Sequence, residues 1–192
     1  MKPRTNLLWW IILILALVGA RIAVAKTNMA IPHFFLTIEE SGLSMWVRDN
    51  PFWAILSVHA LGMALLVGAS TVIALRLLGV APDLPLAPLR RLYGFIWIGF
   101  WIQVVSGILL LAGYPTKSFT NTNFYLKLLL IAFGMTAMQR LRQRVFSDPR
   151  MSEADMMIRG KALAMWSLLF WVGVVTSGRM LAYTYTYISY PG

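Results

Sequence analysis

Positive charge is distributed around the apolar runs of this chain in a way that leaves few architectures open. Lys2 and Arg4 precede the first run. Arg76, Arg90 and Arg91 lie at the junction of the second and third. Arg140, Arg142, Arg144, Arg150, Arg159 and Lys161 lie between the fourth and fifth. Eleven of the 17 basic residues therefore fall in alternate connections. This is the positive-inside pattern of a five-span membrane protein with a cytoplasmic N-terminus and an external C-terminus. The expected fold class is an all-α integral membrane protein.

Composition supports that reading. The chain is 59% hydrophobic and only 12% charged, whereas a soluble domain carries roughly 25% charged residues. With 192 residues it is long enough for one bundle without a separate soluble domain. The net charge of +10 raises the question of nucleic acid. The cations flank apolar runs and have no soluble scaffold, so anionic lipid is the expected counter-charge and nucleic acid is not expected as a partner. No Cys is present, which excludes disulfides, Cys-ligated clusters and thiol catalysis.

Three regions are expected. Residues 1–25 form an N-terminal transmembrane anchor: a basic start, an apolar core, and a small-residue motif at Ala23-Val24-Ala25, read as an uncleaved signal anchor. Residues 26–50 form an external segment. Within it, Phe35, Ile38, Met45 and Trp46 predict a short interfacial helix over 37–47, with Thr37 as its cap. Residues 51–192 form a four-helix transmembrane bundle with an external tail, its spans predicted at 52–78, 92–113, 124–139 and 162–183. Asn50 with Pro51 is expected to start the first of these and Asn123 to cap the third. Residues 114–123 are expected to be an external polar loop. The helix over 124–139 is expected to run on through the basic stretch to Asp148-Pro149, and Ser152 to cap the next. The eight Trp residues are expected near span ends as interface anchors.

Chemistry should show where polar residues enter spans, because burying them in lipid is costly. All seven acids lie outside the expected spans, which argues against a carboxylate proton path and paired-carboxylate catalysis. The other polar residues concentrate at one depth. His59 lies seven residues past Phe52, about 10 Å along the helix at about 1.5 Å per residue. Ser106 stands seven residues before Gly113, Lys127 one turn into the next span, and Arg179 one turn before Tyr183. Gln103 lies one turn deeper than Ser106, on a face shared with Gly99 and Gly107. The candidate site residues are therefore His59, Gln103, Ser106, Lys127 and Arg179. His33 is a further candidate, able to fold back over the outer face from the external segment.

Two readings of this layer compete. In one, Lys127 and Arg179 extend to the headgroups, His59 bonds a neighbouring helix, and the small residues serve packing. In the other, one imidazole and two cations without an acid form a pocket for an anion: haem propionates, a lipid phosphate or a quinone oxygen. For haem b, His59 is the metal ligand, with His33 or a Met such as Met63 or Met180 opposite. Copper would draw on Met63, Met135, Met138, Met165 and Met180, although Met at helical spacing also serves core packing. Ser44, Ser57 and Ser177 have no His–acid partner for a hydrolase triad.

The runs His59-Ala-Leu-Gly62-Met-Ala-Leu65-Leu66-Val-Gly68 and Leu75-Arg76-Leu77-Leu78-Gly79 resemble an uncharacterised family of bacterial inner-membrane proteins. So do Gly107-Ile-Leu-Leu-Leu, Asn123-Phe124-Tyr-Leu-Lys127 and Gly178-Arg179-Met-Leu-Ala182-Tyr183. The family pattern has Asp before the Leu-Arg pair, where this chain has Ala74. The resemblance spans roughly residues 40–185 and implies a polytopic protein of the bacterial inner membrane. It carries over no activity. In architecture alone the chain is similar to four-helix membrane cytochromes b and copper-resistance membrane proteins. The expected function is a non-catalytic accessory or anchor subunit, with other membrane subunits as partners. The alternative is a haem- or quinone-binding electron carrier with its site near the outer face.

Overall fold

The structure is a computed structural model. It describes residues 33–148 and 150–184, together with Ala16 and Gly19. Apart from those two positions the expected anchor lies outside the described residues, as do residues 26–32, the end of the tail and Pro149. From His33 onward the described residues form seven α-helices in order: α1 His33–Glu39, α2 Gly42–Asp49, α3 Phe52–Leu77, α4 Leu92–Gly113, α5 Pro115–Thr120, α6 Thr122–Val145 and α7 Glu153–Tyr183. A 3-10 turn, Ala87–Arg91, leads into α4. Among the described residues four segments are long and apolar enough to cross a membrane: Phe52–Leu77, Ala87–Gly113, Thr122–Val145 and Glu153–Tyr183. This is an all-α membrane protein built on a four-helix bundle.

Local chemistry explains where the helices begin and end. The expected single helix over 37–47 is broken in two. Ser41, not Thr37, caps its second half, accepting a hydrogen bond from the Ser44 N–H at 3.3 Å. Asn50 closes α2 by donating its backbone N–H to the Trp46 carbonyl, while Pro51 occupies the cap position of α3 without a side-chain hydrogen bond. The cap of α6 is Asn121 rather than Asn123: its side-chain oxygen accepts from the Asn123 N–H at 2.9 Å. Residues 114–123 are not a loop, because Pro115 starts the short helix α5. The basic stretch continues α6 as expected, although the helix ends at Val145, before Asp148. Ser152 caps α7 as expected, accepting from the Asp155 N–H at 3.2 Å.

The bundle consists of two helical hairpins. In the first, α3 and α4 cross backbone to backbone at Gly62 and Gly99. A Cβ added at Gly99 would lie 2.6 Å from the Leu66 nitrogen and 2.8 Å from the Gly62 carbonyl oxygen. In the second, α6 and α7 pair, with the Trp171 ring lying over Gly134. Trp171 is buried, so it is a core residue and not an interface anchor. The hairpins join along α3 and α7, whereas α4 and α6 hardly touch along their length. Leu66, Ile73, Leu77, Ile96, Met135, Met138, Leu141 and Trp171 fill the shared core. The opposite faces carry exposed Trp53, Leu61, Ile98, Ile108, Leu169 and Val172, as helices in a lipid solvent do.

At the end of the bundle opposite the Pro-rich α3–α4 connection, α1, α2 and α5 form a small cap. Val47 of α2 is buried, and Ser44 donates its hydroxyl to the Gly113 carbonyl at 3.1 Å. Phe35 stacks on Phe119, with centroids 4.5 Å apart. Arg48 donates to the Glu39 carbonyl at 2.8 Å and lies over the Tyr114 ring. The two short helices α1 and α2 are thereby tied to the bundle.

Candidate functional site

His59, on α3, stands at the centre of a polar layer in the half of the bundle nearer the α1, α2 and α5 cap. Gln103 and Ser106 are presented by α4 and Lys127 by α6. Side chains from three of the four long helices therefore meet here, where a contribution from all four was expected. The Ser106 hydroxyl donates to the Ile102 carbonyl at 2.5 Å. Its oxygen lies 2.9 Å from His59 Nδ1. With the serine proton committed, Nδ1 carries the imidazole hydrogen and Oγ accepts it. Nε2 is then the acceptor, and the Lys127 Nζ lies 3.4 Å from it. The Gln103 side-chain amide donates to the His59 backbone carbonyl. The result is a directed chain, Lys127 Nζ to imidazole to hydroxyl to carbonyl.

Small residues make space for this chain. A Cβ on Gly107 would come within 3.5 Å of His59 Cε1, and one on Gly178 would come within 3.6 Å of the Lys127 Nζ. Thus α7 contributes room at Gly178, not a charge. Arg179, expected in the layer, is exposed on the opposite side of α7 from buried Ser177. Residues two apart on a helix point in nearly opposite directions. His33 opens α1, and its side chain lies outside the described residues.

The cofactor expectations can be set against this geometry. Beside the layer, α3 and α4 form an open apolar groove lined by Ala54, Ile55, Val58, Trp101, Ile102, Val105, Leu109 and Ser106. His59 is not among its lining residues. Its Nε2 faces Lys127 and not an open slot. The methionines do not converge: Met135 and Met138 are buried, Ser167 donates to the Met138 sulfur at 3.2 Å, and Met165 and Met180 are exposed. Among the described residues no three His, Cys, Asp or Glu side chains are grouped to hold a metal.

A second polar centre, at the basic end of the bundle, was not anticipated. Arg76 lies on the last turn of α3 and is 4% exposed. Its guanidinium meets Glu153 Oε2 at 2.9 Å, the Pro82 carbonyl at 3.0 Å and the Leu84 carbonyl. The other Glu153 oxygen accepts the Leu86 N–H at 2.9 Å. One ion pair therefore closes the Pro-rich α3–α4 connection onto the start of α7. Ala74, two residues earlier, is buried, and Arg76 takes its carboxylate from α7. The signal available in sequence was the position of Arg76 inside an otherwise apolar run, where a charge needs a partner.

The chain matches no protein-family model, no curated protein and no solved structure.

Proposed function

We propose that the protein is a non-catalytic integral subunit that anchors or supports a larger assembly in the bacterial inner membrane. Its N-terminus is cytoplasmic and its C-terminus periplasmic, and it belongs with the uncharacterised inner-membrane family that it resembles. The observation that carries this reading is the closed hydrogen-bond chain of the outer layer. His59, Ser106 and Gln103 spend their polar groups on one another, on Lys127 and on backbone carbonyls. A layer satisfied in this way holds helices in register, as a supporting subunit requires. The test is extraction from native membranes in mild detergent, followed by size measurement. The expected result is a stoichiometric membrane partner retained through purification. A pure, ligand-free monomer with a specific activity would overturn the proposal.

A second reading, a b-haem or quinone electron carrier, draws support from one feature. Ser106 fixes the imidazole with hydrogen on Nδ1, the orientation that leaves Nε2 for a ligand. Such a ligand would have to displace the Lys127 ammonium. A reduced-minus-oxidised absorbance spectrum decides between them. A sharp α-band lost in His59→Ala would favour the carrier, and a colourless native protein would remove it.

A further inference from the structure

The open edge between α4 and α6 is not featureless. At the basic end of the bundle it widens into a cleft of ≈ 280 Å³. Arg90 contributes from the 3-10 turn ahead of α4, and Arg142 and Gln139 contribute from α6. The floor is Ile96 and Met135, both buried. Tyr93 pins the two walls together: its hydroxyl donates to the Met138 carbonyl at 3.2 Å, and Arg142 lies 5.6 Å from its ring centroid. None of the described residues lining the cleft is acidic. The chemistry is therefore graded along α6. Guanidiniums and an amide stand at the rim, and apolar side chains lie two turns deeper, about 10 Å into the bilayer at about 1.5 Å per residue.

We propose that this cleft is a binding site for one anionic phospholipid. Its phosphate sits between Arg90 and Arg142, and its acyl chain runs down the α4–α6 edge over Ile96 and Met135. Three features favour a lipid over a soluble anion. A guanidinium pair matches a phosphate in fork geometry, and basic pockets between transmembrane helices on the positive side suit anionic headgroups. The floor is apolar and would gain nothing from a bare phosphate. The backbones of α4 and α6 are not closely packed, and away from the Tyr93 bridge the cleft lies between them, so a lipid can enter sideways.

The test uses the full chain in neutral detergent, with native mass spectrometry and thermal unfolding as readouts. The titrants are phosphatidylglycerol, cardiolipin, phosphatidylcholine and inorganic phosphate. The expected result is a one-to-one adduct and raised thermal stability with an anionic lipid, and neither with phosphatidylcholine or phosphate. Arg90→Gln with Arg142→Gln should weaken lipid binding at least tenfold. Arg144→Gln, on the same helix but not lining the cleft, should leave it unchanged. If the double variant is less stable without lipid, Arg90→Lys alone keeps the charge, removes the fork, and should still weaken binding measurably. Equal loss in Arg144→Gln would mean diffuse attraction by the basic end and would overturn the site. Equal stabilisation by inorganic phosphate would overturn the lipid as its occupant.

Discussion

At the scale of single residues, the closest contact in the bundle gives the sharpest prediction. At Gly99 the atoms that a methyl group would meet are backbone atoms of α3, which cannot rotate away. Gly99→Ala should therefore destabilise the protein by about 1–3 kcal/mol, the usual cost of overpacking. Gly68, on α3, has no atom within 4 Å of an added Cβ. Gly68→Ala should gain about 0.5–1 kcal/mol from helix propensity. Unfolding both variants in mixed micelles of increasing SDS tests the contrast. No loss in Gly99→Ala would mean that the α3–α4 crossing is looser than described. The imidazole chain makes a second prediction. Ser106→Ala leaves the His59 Nδ1–H without its acceptor, and His59→Phe removes the donor, so the two changes should couple by about 1 kcal/mol in a double-mutant cycle. The depth of this layer was legible in the sequence, because counting residues along a span measures depth. The direction of Arg179 was not. A helix apolar nearly all round carries no stripe to show which face packs, so Ser177 and Arg179 looked equivalent.

At the scale of elements, the ends of helices carry the energetic asymmetries. α3 stops at a left-handed Gly79, with φ of 96°, in a Schellman arrangement: the Val80 N–H bonds the Leu75 carbonyl and the Gly79 N–H the Arg76 carbonyl. Arg76 and Glu153 then tie that end to α7, but they are not equally exposed. The Arg76 side chain is 4% exposed and that of Glu153 49%. Removing Glu153 leaves a buried guanidinium with carbonyl partners only, a loss of about 3 kcal/mol for an unpaired buried charge. Removing Arg76 leaves a carboxylate that is half in water and still accepts the Leu86 N–H, so the loss should be smaller, nearer about 1 kcal/mol. Thermal unfolding of Glu153→Ala against Arg76→Met checks the order, and the reverse order would mean that the carbonyls alone satisfy Arg76. The bounds of α4 were legible because arginine, glycine and proline mark both its ends. The break at Ser41 was not, because Thr37 offered an equally good cap motif four residues earlier. The short α5 was hidden by its composition, since Pro, Thr, Lys and Ser read as turn.

At the scale of the whole molecule, the distribution of charge and the packing describe one polarity. The end of the bundle with the Pro-rich connection also carries Arg76, Arg90, Arg91, Arg142 and Arg144. The other end carries the cap of α1, α2 and α5. The tie between Arg76 and Glu153 and the cleft beside Arg142 both belong to the basic end, so the lipid site and the structural ion pair would face one leaflet. An orientation that places this end in the cytoplasm follows from the positive-inside bias and is directly testable, because the chain has no cysteine of its own. Asp83, in the basic-end connection, and Thr120, at the end of α5, are both exposed. Asp83→Cys and Thr120→Cys therefore report on opposite faces without disturbing the core. With a membrane-impermeant maleimide, Thr120→Cys should label in intact spheroplasts. Asp83→Cys should label only after the membrane is opened. Both sites labelling from one side would place the two ends of α4 in the same compartment and contradict its assignment as a span. Labelling of Asp83→Cys alone in intact spheroplasts would keep the bundle but invert it. The arginine-rich end would then be external, despite the bias that the sequence carries, and the anionic lipid would have to come from the outer leaflet.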